Sequence, residues 1–93
     1  MEFEWDDWKR ALVLREHKVD LLYAARIFHG PVVTEPDDRQ DYGEERFKSI
    51  GLVNDECFVV VYTRRENRIR LITAWKGGRR NHEQYQARVS RRN

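Results

Sequence analysis

The densest group of side chains able to do chemistry lies in the last third of this 93-residue chain: Arg64, Arg65, Arg68 and Arg70, then the run Trp75-Lys76-Gly77-Gly78-Arg79-Arg80-Asn81-His82. Of 18 basic residues 14 are arginine, whose planar fork grips a phosphate at two points where lysine offers a point charge. Arg79 and Arg80 follow a Gly-Gly break, at the start of a predicted helix. The macrodipole is positive there, and each cation costs about 0.3 to 1 kcal/mol. A local rule broken without structural gain marks a functional position, and cations added to a helix N-terminus make an anion receptor. Phosphate is the anion expected. Trp75, at a strand end beside these cations, either stacks an unpaired base or packs into the core.

Charge is unevenly placed along the chain. Residues 1–61 hold eight Lys and Arg against fourteen Asp and Glu, whereas residues 62–93 hold ten against two. One reading is a polyanion partner for the basic third; the other is that this third pairs with the acidic remainder of its own fold. Other chemistries are poorly served. His17, His29 and His82 stand apart without metal-ligand spacing, and the single cysteine, Cys57, supports neither an internal disulfide nor a thiolate cluster, so no metal and no cofactor is expected. The sequence has no glycine-rich phosphate loop and no serine elbow, which argues against nucleotide-dependent and acyl-transfer enzymes. No apolar run approaches the roughly 18 residues of a membrane span, and the N-terminus is acidic where a secretory signal would be basic. A cytoplasmic protein without a membrane partner is expected.

The elements that must position these side chains follow from caps and periodicity. Length predicts one domain, residues 1–93, with a single modest core; Leu, Ile, Val and Phe make up 23 of the 93 residues, above the roughly 20% below which chains stay disordered. Phe3-Glu4-Trp5 alternates like a short strand. Asp6-Asp7 starts a helix running to about His17, with Trp5, Trp8 and Leu12 on one apolar stripe. Asp20 caps a second helix, in which Leu21, Ala24, Ala25 and Phe28 repeat with helical period until Gly30-Pro31. Trp5, Trp8, Phe28 and Phe58 are assigned to the core.

From Pro31 the period becomes two. Strands are predicted at 32–34, 46–53, 57–63 and 69–74, with an acidic loop at 37–45 and polar turns between them. The continuous apolar run 57–63 is that of a strand covered on both faces. After Gly77-Gly78, His82, Tyr85 and Val89 share one face of a closing helix, with Arg88 and Arg92 elsewhere on its surface. The predicted architecture is α+β: two N-terminal helices and a C-terminal helix packed on an antiparallel sheet.

Taken together, several of these segments resemble the BrnT family. They are the opening Phe3-Glu4-Trp5-Asp6 with Lys9, His17-Lys18-Val19, Glu44-Glu45-Arg46-Phe47 followed by Ile50-Gly51, Thr63 with Arg65, and Ile69-Arg70-Leu71-Ile72-Thr73-Ala74 before a basic helix start. The resemblance spans nearly the whole chain. It implies a RelE-like fold and the toxin half of a bacterial type II toxin–antitoxin module. Such a toxin is a metal-independent endoribonuclease that arrests translation and is held inactive in a tight complex with the antitoxin BrnA, which itself binds operator DNA. By position, Arg46, Arg65 and Arg70 fall where the family carries arginines, and Arg79 and Arg80 fall in its basic helix start. Two positions depart: Trp75 stands where the family commonly has Arg, and Asn81 where it commonly has Glu.

RNA cleavage by the 2′-hydroxyl needs a group to take its proton, a donor to the leaving 5′-oxygen, and cations to neutralise the phosphorane between them. The catalytic candidates are Arg64, Arg65, Lys76, Arg79, Arg80 and His82, with Glu83 or water as further proton carriers. Arg46, Arg70 and Trp75 are the candidates for holding RNA. The alternative is a basic RNA- or DNA-binding module without catalysis, in which the same residues only hold phosphates.

Overall fold

A computed structural model describes residues 2–90, in which the run from Cys57 to Thr63 is buried along its whole length. That run is the middle of a central strand. In chain order the elements are β1 (Glu2–Glu4), α1 (Asp7–His17), α2 (Leu21–Ala24) continuing into a 3₁₀ turn (Ala25–His29), β2 (Val33–Pro36), β3 (Phe47–Val53), β4 (Glu56–Arg65), β5 (Arg68–Lys76) and α3 (Arg79–Ser90). The strands form one five-stranded sheet in the order β1-β5-β4-β3-β2. β4 is apolar on both sides because both are covered. On the first face Phe58, Val60 and Tyr62 meet Leu21, Ala24 and Ile27. On the second, Cys57 and Val59 meet Val33, Ile50 and Tyr85 of α3. Arg92 lies outside the described residues.

The sheet is mixed, which corrects the antiparallel expectation. Strands β2 to β5 form an antiparallel meander, but β1 pairs in parallel with β5, Phe3 opposite Ile69 and Glu4 opposite Arg70. A parallel pair needs a long crossover; here most of the fold is the crossover, so local periodicity carries no trace of it. Phe3 faces the first layer, its ring 5.7 Å from that of Phe28.

Helix starts follow the predicted caps with one exchange of roles. Asp20 caps α2, accepting the Leu22 N–H at 3.1 Å, and the same carboxylate takes Nε and Nη2 of Arg10 at 2.9 and 3.0 Å. Those bonds hold the Asp20 carboxyl below the usual range. Asp6 precedes α1 in extended backbone but makes no side-chain cap; its carboxylate instead meets Arg70 Nη2 at 3.0 Å. The core assignment of Trp8 does not hold, because Trp8 is 65% exposed. α1 packs against β5 and α2 and turns Val13 inward. Phe58 is buried, while Trp5 and Phe28 are half-buried at the margin of the first-face core.

One irregularity decides which arginines share a face. The register of β4 and β5 runs Val61 opposite Thr73, then Tyr62 opposite Leu71, leaving Ile72 as an extra residue. A bulge resets the alternation. Ala74, Leu71 and Ile69 therefore all join the first-face core, and Arg70 and Arg68 share the second face with Thr73 and Trp75.

Candidate nucleic-acid interface

Neighbours in the sequence part company here. Arg64 stands opposite Ile69 and Arg65 opposite Arg68, so Arg64 belongs to the first face and Arg65 to the second. On the second face, every arginine of the hairpin end has a carboxylate. Arg70 lies 3.0 Å from Asp6 and 3.8 Å from Glu4; Arg68 lies 3.5 Å from Glu2 and 3.6 Å from Glu4. Glu44 takes both Arg46 at 3.4 Å and Arg65 at 3.8 Å, and Lys48 pairs with Glu35 at 3.3 Å. Acidic and basic parts of the chain thus neutralise one another, but the pairs are partly or largely exposed. Such a pair is worth about 0 to 1 kcal/mol, so a phosphate can replace the carboxylate at little cost. Arg64 differs: among the described residues it makes no ion pair, and its guanidinium carbon lies 4.8 Å from the Phe47 ring centroid.

The acidic loop between β2 and β3 does more than connect them. The Asp37 side chain is 0% exposed, and its carboxylate accepts from Nε and Nη2 of Arg39 at 2.6 and 2.8 Å. Its own N–H donates to the Arg46 carbonyl at 2.8 Å. The two bonds from Arg39 hold the Asp37 carboxyl below the usual carboxylate range. So fixed, Arg39 lays its guanidinium 5.3 Å from the centroid of Trp75, whose ring also lies 6.3 Å from that of His17. Trp75 is half-buried and packs with the second-face core, so its indole carries a guanidinium where a base is expected. Arg39 is not among the sequence-predicted site residues, although a lone arginine between Asp37-Asp38 and Asp41 marks it.

At the other end of β5 the backbone itself is tightly fitted. A Cβ on Gly77 would lie 2.5 Å from Cys57 Sγ. Only glycine lets the chain leave β5 this close to β4, where the Gly77 N–H donates to the Cys57 carbonyl at 2.8 Å. Burial pushes the Cys57 thiol up, which keeps it protonated and unreactive. Asn81 Oδ1 accepts the Gly78 N–H at 3.1 Å, and the first turn of α3 contains no acidic residue. Arg79, 93% exposed at its side chain, pairs with Glu83 at 3.1 Å. Arg80 is exposed and makes no ion pair among the described residues. His82 is half-buried, with Nε2 3.2 Å from Gln86 Nε2. Arg79, His82, Glu83 and Gln86 line one shallow cleft of about 380 Å³.

The predicted residues therefore fall in separate places. Arg46, Arg65 and Arg70 gather at the hairpin end of the second face, and Arg79, Arg80 and His82 at the start of α3. Arg70 and Lys76 are six positions apart along extended strand, about 20 Å at the usual rise. Lys76 pairs with Glu56 at 2.6 Å and stands opposite Phe58, on the first face with Arg64. Among the described residues no three His, Cys, Asp or Glu are placed to hold a metal ion, and no helix is long and apolar enough to cross a membrane.

A family model described as "Ribonuclease toxin, BrnT, of type II toxin-antitoxin system" matches residues 5–81, a span holding every predicted site residue except His82. No curated protein matches the chain. Among solved structures, the 1.1 Å crystal structure of the Brucella abortus ribonuclease toxin BrnT is similar, with a TM-score of 0.68 and 18% identity over 85% of this chain and 99% of that one. At that identity the likeness speaks for the fold, and the family match speaks for descent. The chain belongs to the BrnT family of ribonuclease toxins of type II toxin–antitoxin systems.

Proposed function

We propose that this chain is an endoribonuclease that works without a metal, arrests translation by cutting RNA, and is silenced in a tight complex with a BrnA-type antitoxin that also binds operator DNA. The observation that carries the reading is the family match over residues 5–81, which takes in both ends of β5 and their arginines. The geometry supports a division of labour. On the second face Arg46, Arg65 and Arg70 hold backbone phosphates after displacing the weak carboxylate partners they have in the free protein. At the start of α3, Arg79 and Arg80 neutralise the phosphorane, and His82 exchanges a proton with the 2′-hydroxyl or the leaving 5′-oxygen. Trp75 stacks a base only once Arg39 leaves its ring. Lys76 and Arg64 lie on the opposite face, away from the bond broken, and contribute to RNA binding only where a strand rounds the sheet edge.

Purified protein incubated with total RNA in the presence of a chelator tests the reading. New RNA ends are expected, and His82→Ala and Arg80→Ala should each slow their appearance by about 100-fold or more, the usual scale of acid–base or charge stabilisation. RNA bound by the wild type without new ends would leave only a phosphate-binding module.

A further inference from the structure

An apolar cleft lies apart from this chemistry. It opens on the first face at the hairpin end, encloses about 270 Å³, and is floored by Phe28, Val32, Tyr62 and Ile69, with Thr34 and Arg64 at its rim. Its volume falls below the roughly 300 to 1,000 Å³ of cofactor and drug sites, and suits one large side chain. The floor is already rigid. Tyr62 is 1% exposed, its hydroxyl lies 2.8 Å from Ser49 Oγ, and Ser49 Oγ lies 2.7 Å from Thr34 Oγ1. Phe28 meets Tyr62 edge to face, with centroids 5.3 Å apart. Over the rim, Arg64 is exposed, rests on Phe47 and has no carboxylate among the described residues, whereas Arg65 beside it has Glu44.

A preformed apolar hole beside an unpaired guanidinium fits a protein segment that carries a large apolar side chain next to a carboxylate. Anchors of that kind, desolvated in a fitted pocket, carry most of the energy of protein interfaces. RNA fits less well. The cleft faces away from Arg46, Arg65 and Arg70, so a strand held by them would have to round the sheet edge; of the charged residues lining it, Arg64 and Arg68 attract an anion and Glu66 repels one, which suits a segment bearing one carboxylate better than a run of phosphates.

We propose that this cleft is the anchor point of the antitoxin: an apolar side chain of the partner fills it, and a neighbouring carboxylate pairs with Arg64. The proposal rests on the toxin–antitoxin reading above and adds the contact. Anchored there, the partner can continue around the hairpin and cover the arginines of the second face.

Calorimetric titration of the whole protein with its cognate antitoxin decides the matter. Thr34→Trp, at an exposed strand position, fills the mouth of the cleft, and Arg64→Glu reverses its charge. Each should weaken antitoxin binding by about 30-fold or more, and Thr34→Trp should still cleave RNA at the wild-type rate. Should Thr34→Trp fail to fold, Arg64→Glu and amide exchange of the wild-type complex carry the test, with protection expected at residues 28–34 and 64–69. Unchanged affinity in the folded variants, or protection confined elsewhere, overturns the proposal. Lost cleavage with intact antitoxin binding in Thr34→Trp makes the cleft a substrate site and overturns it too. A wild type that is silenced by antitoxin while both variants bind normally sinks this inference alone; a wild type that neither cleaves RNA nor binds antitoxin removes the toxin reading and this inference with it.

Discussion

The guanidinium of Arg39 lies over the indole of Trp75, 5.3 Å from the ring centroid, and it is fixed there by the buried carboxylate of Asp37. A charged pair next to an aromatic face fastens the loop between β2 and β3 across the second face of the sheet. Glu44, carried by the same loop, then reaches Arg46 and Arg65. Loop position and the occupancy of the candidate interface are therefore one structural fact.

Asp37→Asn should test that clamp, since it preserves shape while removing the charge that Arg39 needs. A loss of about 1.5 to 3 kcal/mol at neutral pH is expected, the range for hydrogen bonds to a charged group. The folded-state pKa of Asp37 lies below its ordinary value, so its contribution is complete above the unfolded value of about 3.9 and drains away as the pH falls through the folded one. Urea titrations of both proteins should show a constant gap from pH 7 to about 5 that narrows below about pH 4. A gap that widens on acidification would contradict the assignment.

Gly77→Ala should be destabilising by about 1 to 3 kcal/mol, because the new methyl meets Cys57 Sγ where no space exists. Removing the sulfur makes room. In a Cys57→Ala background the same substitution should cost markedly less, a coupling expected between groups in direct contact. Equal costs in both backgrounds would mean that the strain lies in the backbone and not in the sulfur.

Trp8→Ala should change stability by no more than about 0.5 kcal/mol, as for most exposed positions, because Trp8 is 65% exposed; a thermal melt shows it directly. The apolar stripe that assigns Trp8 to the core is real in the sequence, yet α1 lies against β5 and buries Val13 instead. Period alone cannot tell which sector of a helix meets the sheet. The features read correctly are those with local causes: Asp20 as a cap, the apolar run of β4, and the break at Gly77-Gly78 before α3. The features missed are non-local or break a period. The parallel partner of β1 lies more than sixty residues away. The bulge at Ile72 moves Arg70 from the face of Ala74 to that of Trp75, because one extra residue inverts everything beyond it. Likewise, the continuous basic cluster of the sequence is drawn out along β5 into separate ends; of the two readings the charge asymmetry left open, pairing within the fold is seen for Arg65, Arg68, Arg70, Lys76 and Arg79 among the described residues.

Replacing Arg79 and Arg80 together with alanine should abolish RNA cleavage while leaving the melting temperature unchanged or slightly raised. The pair of Arg79 with Glu83 is almost fully exposed and adds little, and removing cations from the positive end of α3 relieves the dipole conflict. A large drop in melting temperature alongside the lost activity would assign these arginines a structural role.

Salt dependence separates the cations that are free for RNA from those already neutralised. On single strands each phosphate contact contributes about −0.7 to the slope of log affinity against log salt, so ten fully engaged basic residues would give about −7. Arg65, Arg68, Arg70 and Lys76 begin paired with carboxylates. When a phosphate replaces such a carboxylate, the RNA sheds a counterion but the freed carboxylate gathers one, and the net release is small. Arg64 and Arg80 incur no such exchange. For a His82→Ala variant that binds without cutting, the expected slope is therefore about −1.4 to −2.8, equivalent to two to four phosphates. Glu44→Gln should steepen it by up to about 1.4 and tighten binding, since it releases Arg46 and Arg65 together. Fluorescence anisotropy with a short labelled RNA across a salt series measures both. A slope already near −7 in the parent variant would mean that the carboxylates never held their arginines in solution, and an unchanged slope in Glu44→Gln would take Arg46 and Arg65 out of the RNA interface.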